Sequence, residues 1–126
     1  MITNEMVMEY LSQEGYRYKV DDDGDICFKY EGLNMIVSLQ ERDKDYFRIM
    51  MPCIYQLEDN RIKVLEAINE VCKNLKAIKA FLVEDYLWIA IEMFTDSTPE
   101  LDDFMPRCMQ ILKTGREMLA QEIFKD

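Results

Sequence analysis

The spacing of apolar residues switches between the helical and the strand period along this chain, and that alternation limits the fold more than any other feature of the sequence. Thr3 is placed to cap a first helix whose apolar positions Met6, Val7, Tyr10 and Leu11 share one face, and Gly15 is placed to end it in a left-handed turn. From Tyr16 the period is two: Tyr16, Tyr18 and Val20 alternate with Arg17 and Lys19, then an acidic turn leads to Ile26, Phe28 and Tyr30, as a hairpin or one bent strand. Gly32 precedes a strand over 33–40 with Ile36 and Val37 at its centre. The charged cluster from Glu41 to Asp45 turns the chain into a strand over 46–55 that contains Pro52. Proline has no amide hydrogen for a ladder, so this strand is expected at a sheet edge or with a bulge near its end.

Asp59 or Asn60 opens a second helix, with Val64, Leu65, Ile68, Val71, Cys72 and Leu75 as its apolar face. Two strands over 77–83 and 87–94 follow, joined at Glu84, Asp85 and Tyr86. Both faces of these strands are apolar, which predicts cover on both sides: helices on one and a second subunit on the other. Thr98-Pro99 predicts the start of a last helix, with Leu101, Met105, Cys108, Leu112, Leu119 and Ile123 on one stripe and Pro106 expected to kink it or split off its first turns. The order is helix, antiparallel meander of three or four strands, helix, two-stranded hairpin, C-terminal helix: an α+β fold. A length of 126 residues suits a single domain spanning 1–126.

Charge narrows the partners. Asp and Glu total 25 against 15 Lys and Arg, a formal charge of −10 that repels phosphate. The basic residues are scattered, with Lys73, Lys76 and Lys79 the longest grouping, so neither nucleic acid nor an anionic membrane is an expected partner. The first residues carry Glu5 and Glu9 where a secretory signal has a basic start, and the most apolar window, 77–94, is interrupted by Lys79, Glu84, Asp85 and Glu92. A soluble, cytoplasmic protein is expected.

The chain has no histidine, which removes the commonest general base, the commonest metal ligand and every Ser-His or Cys-His nucleophile. Cys27, Cys53, Cys72 and Cys108 form no C-x-x-C pair and are expected as buried thiols. The run Asp21-Asp22-Asp23-Gly24-Asp25 invites a calcium-loop reading, but with Gly24 at the sixth position the first is Lys19 and the twelfth Tyr30, where carboxylates are needed. A tight turn accounts for the same residues. No two glycines stand close enough for a phosphate loop. No catalytic residue, cofactor or metal ligand is therefore expected. The ten methionines fall mostly on helix stripes or in strands, as core filling. Tyr55, Tyr86 and Trp88 are the candidate interface anchors, with Tyr46 a further candidate, and core packing is the competing reading for each.

On Gly15-Tyr16, Asp22-Asp23-Gly24-Asp25-Ile26 leading to Phe28, Gly32 before its strand, and the terminal helix after Thr98-Pro99, the chain resembles the YbjN-like family of bacterial sensory transduction regulators, within the type III secretion chaperone-like fold. The likeness spans nearly the whole chain and brings no active site with it. It implies a non-catalytic protein-binding module, often a homodimer, whose apolar grooves hold a segment of another protein in a regulatory or chaperone-like adaptor role. Two alternatives stay open from the residues. One is an acidic inhibitor or immunity-type protein that masks a basic enzyme, and the other is a carboxylate-based enzyme or ligand-binding domain with a concave pocket.

Overall fold

The computed structural model describes every residue from Met1 to Asp126. Helix α1 (Asn4–Gln13) leads into a four-strand meander, β1 (Tyr18–Val20), β2 (Ile26–Tyr30), β3 (Leu33–Val37) and β4 (Tyr46–Gln56). Helix α2 (Arg61–Asn74), the hairpin β5 (Ile78–Val83) and β6 (Tyr86–Phe94), and helix α3 (Leu101–Phe124) complete the chain. The six strands form one antiparallel sheet in the order β1-β2-β3-β4-β6-β5, so the last hairpin adds itself to the free side of the meander.

Local chemistry sets the element boundaries. The Thr3 hydroxyl accepts a hydrogen bond from the Met6 amide at 3.2 Å and satisfies one of the free donors at the start of α1. Between β2 and β3 the two turn residues Glu31 and Gly32 both have positive φ, 50° and 80°, the combination that matches the twist of the flanking strands. Asp21 closes the β1–β2 turn: one carboxylate oxygen accepts from the Asp23 and Asp25 amides, each at 2.9 Å. The carboxylates of Asp21, Asp23 and Asp25 lie within 4.8 Å of one another on this exposed turn, which the backbone hydrogen bonds explain.

All three helices pack on one face of the sheet. Strand residues such as Phe28, Met35, Ile49, Ile89 and Ile91 join helix residues such as Leu11, Val71, Leu112 and Leu119 in a core of 25 buried side chains. Helix α3 crosses the sheet closely at Gly115, where an added Cβ would collide with the Ile78 side chain. Opposite Phe47, Ile49 and Met51, the alternate residues of β4 face a side that no helix of this chain covers.

Several expectations are corrected. Leu65 is 47% exposed, because the buried line of α2 runs through Val64, Ala67 and Val71 and leaves Leu65 about a quarter-turn round the helix, beside exposed Ile62. The last helix starts at Leu101 with Glu100 as its cap residue, two positions beyond Pro99. Asp96 instead accepts from the Thr98 amide and forms a turn ahead of it. Pro106 does not split α3, which runs unbroken from Leu101 to Phe124. Pro106 is exposed, and its missing amide leaves only the carbonyl of exposed Asp102 to be met by water. Of the four thiols Cys108 alone is buried; Cys27 and Cys72 are half-buried and Cys53 is exposed. The proline strand does bulge, between Met51 and Tyr55, and lies inside the sheet between β3 and β6.

Candidate functional site

The uncovered sheet face has a continuous row of side chains. Strand register places Lys19 opposite Cys27, Cys27 opposite Ile36, Ile36 opposite Met50, Met50 opposite Ala90, and Ala90 opposite Lys79. Directly opposed residues share a face, so this row crosses all six strands with a lysine at each end and apolar side chains between. Met50 is 7% exposed and Ala90 fully buried, yet neither belongs to the core cluster under the helices. Ile36 stands directly opposite Met50, and Trp88 is two residues from Ala90 on the same face of β6.

Toward the β1 side this face deepens into a groove of about 800 Å3. Cys27, Ile36 and Pro52 line it together with Arg17, Lys19 and Lys29. The β4 bulge brings Pro52 here: a register shift between Met51 and Tyr55 follows directly after Met51 pairs with Ile89, and Cys53 takes φ 47° within it.

On the far side of the row sits a polar cluster. The Glu92 carboxylate lies 3.3 Å from Lys79 Nζ and 3.9 Å from Arg48 Nη1, and the Arg48 guanidinium donates to Ser38 Oγ at 3.1 Å. The Tyr46 hydroxyl, then Lys79 and Arg48, hold Glu92 below the usual carboxylate range. Tyr46 in turn is pushed up to about 12 by burial and by Glu92. The titratable groups that depart from their ordinary values all move away from neutrality: tyrosines 10, 16 and 46, cysteines 27 and 108 and lysines 113 and 125 upward, glutamates 70 and 92 downward. General acid–base catalysis needs displacement in the other direction.

The three aromatic candidates do not converge. Trp88 lies on the open face, directly opposite Phe81 with the rings stacked at 6.5 Å, and Tyr86 follows on the same face, 39% exposed. Tyr55 comes after the bulge on the helix side. Its ring meets Phe124 edge-on at 5.8 Å and its hydroxyl accepts from Asn60 Nδ2 at 2.9 Å. Sequence reading missed the groove residues Arg17, Lys19, Cys27, Lys29, Ile36 and Pro52. A signal was present in the alternate positions of β1 to β3, but it acquires meaning only once the helices are known to occupy one face.

The chain matches, over residues 2–123, the family described as TY-Chap1, T3SS (YopN, CesT) and YbjN peptide-binding chaperone 1. The chain belongs to the TY-Chap1 family. Solved structures agree with that membership in fold. YbjN from E. coli is 9% identical, with 95% of this chain and 90% of that chain covered and a TM-score of 0.69. An uncharacterized protein from Methanothermobacter thermautotrophicus is 11% identical, with 97% and 96% covered and a TM-score of 0.68. At these identities the likeness shows the fold alone. A comparison with curated proteins returns no match. The resemblance to the YbjN-like family and to the type III secretion chaperone-like fold holds, as does the α+β order of elements. No helix of this TY-Chap1 chain is long and apolar enough to cross a membrane.

Proposed function

We propose that this chain is a non-catalytic module, one folded unit over 1–126, that binds a peptide segment of another protein on the open face of its sheet. The observation that carries this reading is the groove: an apolar floor of Cys27, Ile36 and Pro52, continuous with Met50 and Trp88, on a face that the chain's own helices leave uncovered. Exposed concave apolar surface of this kind is the usual seat of a partner. Membership in a family described as peptide-binding chaperones supports it. The absence of histidine and the direction of every displaced pKa support the non-catalytic part.

A regulatory or chaperone-like adaptor in a bacterial cytoplasm, acting as a homodimer, is the finer form of this proposal. Trp88 and Tyr86 serve as aromatic anchors on the open face, and Tyr55 as an anchor only if the partner also reaches the end of α3. The acidic-inhibitor alternative needs a functional surface that is negative, whereas the groove is lined by cations.

The test is a peptide array followed by NMR titration of the best binder. Amide shifts concentrated at Lys19, Cys27, Ile36 and Met50, and binding lost in Ile36→Asp with the circular dichroism unchanged, are expected. Shifts confined to the helices, or no peptide bound, would remove the proposal.

A further inference from the structure

The chain has 25 acidic residues against 15 basic, yet the groove lining includes Arg17, Lys19 and Lys29 and no Asp or Glu. A second apolar depression, at the end of α3, has the single cation Arg116 and no acid, and the others are mixed or reversed. The one between α2 and the C-terminus sets Glu66, Glu70 and Glu122 against Lys63 and Lys125, and the one at the start of α3 has Asp96, Glu100 and Asp103 with no cation. The three groove cations are also free of ion pairs. Six of the 15 Lys and Arg side chains, Arg48, Arg61, Lys73, Lys79, Lys113 and Lys125, have a carboxylate partner; Arg17, Lys19 and Lys29 are among the nine that have none, and they are the ones gathered in one groove.

Register brings them together. Lys19 stands opposite Cys27, Lys29 is two residues beyond Cys27 on the same face, and Arg17 precedes Lys19 by two. Three like charges on neighbouring strands repel one another, and a bound anion relieves that repulsion. Asp21 stands at this end of the groove: its Oδ1 accepts from two backbone amides of its own turn, and its Oδ2 lies 3.7 Å from Cys27 Sγ. The charge is segregated along the groove. Cations lie over β1 and β2, whereas Ile36 and Pro52 lie over β3 and β4.

We propose that the segment held in this groove is an acidic peptide in which a block of Asp or Glu is followed, about three residues on, by bulky apolar side chains. The carboxylates meet Arg17, Lys19 and Lys29, and the apolar block rests on Ile36 and Pro52. The spacing follows from two inter-strand steps of about 4.8 Å, spanned by extended chain at roughly 3.3 Å per residue. This inference rests on the peptide-binding reading of the same groove and adds the chemistry of the occupant.

Three fluorescent peptides test it, sharing one Trp-Leu-Phe block and carrying an acidic, a neutral or a basic block ahead of it. Each is titrated by anisotropy against the wild-type chain, against the triple variant Arg17→Glu, Lys19→Glu, Lys29→Glu, and against a control with the same charge change elsewhere, Lys63→Glu, Lys73→Glu, Lys76→Glu. The acidic peptide is expected to bind the wild type about tenfold more tightly than the neutral one at low salt. That advantage should shrink with added salt, vanish in the groove variant and persist in the control. Single reversals at these exposed positions replace the triple variant if circular dichroism shows it unfolded. Equal binding of acidic and neutral peptides overturns the inference and leaves the groove reading standing; equal loss in the control overturns it as a mere net-charge effect. No binding of any of the three overturns the inference, and only an empty peptide array as well removes the groove reading. Self-association of the wild type that the acidic peptide competes away, seen by light scattering, assigns the groove to a second copy and overturns it too.

Discussion

Cys53 has its thiol in solvent and its backbone at φ 47°, a conformation that glycine adopts at no steric cost and that a side chain occupies under strain. Cys108, by contrast, is buried on the inner face of α3 with its pKa pushed up to about 11 by desolvation. Thiolate, not thiol, is the reactive species, so a disulfide reagent is expected to modify Cys53 first and Cys108 only on unfolding. Peptide mapping after timed labelling checks that order, and early labelling of Cys108 would contradict the packing described. Tyr10 supplies a second residue-scale expectation. Burial, then Glu14, raises its pKa from 10.0 to about 12, so the fold prefers the neutral phenol. The stability this contributes is complete below pH 10 and is lost as pH rises from 10 towards 12. Thermal melts across that interval should show the wild type falling more steeply than Tyr10→Phe, with the two curves parallel at pH 7.

Helix α3 runs through Pro106 without interruption, at the loss of one backbone hydrogen bond. Pro106→Ala restores an amide donor facing the Asp102 carbonyl and is expected to raise stability by about 1–3 kcal/mol in urea unfolding, with no change in fold. A decrease would mean that the proline ring packs against something. The elements themselves were legible because their signals are local: the Thr3 cap, the switch to period two at Tyr16, and the Gly32 turn each act within a few residues. Pro52 predicted an edge or a bulge for the same reason, since a missing donor cannot be repaired at a distance, and the interior place of β4 between β3 and β6 leaves the bulge. What could not be read was set by tertiary choice. Leu65 sits beside Val64 in sequence, and only the direction from which α2 meets the sheet decides which of the two is buried. The groove was hidden likewise, since Cys27 and Ile36 look like any other strand residues until one face of the sheet is known to lack helices. Tyr55 is the converse case, an aromatic proposed as an anchor that the bulge turns to the helix side.

Across the whole molecule a charge of −10 is spread over helices and turns, and self-repulsion of that kind opposes the compact state. Added sodium chloride up to about 0.15 M, where the screening length is near 8 Å, is expected to raise the melting temperature. A fall would indicate that ion pairs such as Lys113 with Glu31 contribute more than the net repulsion removes. The layered architecture, helices on one side and an open sheet on the other, also divides the sequence between two tasks. In β4, Phe47, Ile49 and Met51 belong to the layer under the helices while Arg48, Met50 and Pro52 belong to the open face; in β2, Ile26 and Phe28 alternate with Cys27 and Lys29 in the same way. Adjacent residues therefore meet separate physical demands, packing on one side and exposure on the other. Substitution at every second strand position remakes the open face without touching the layer under the helices, so the chemistry of one side of the sheet can be rewritten while the fold is kept.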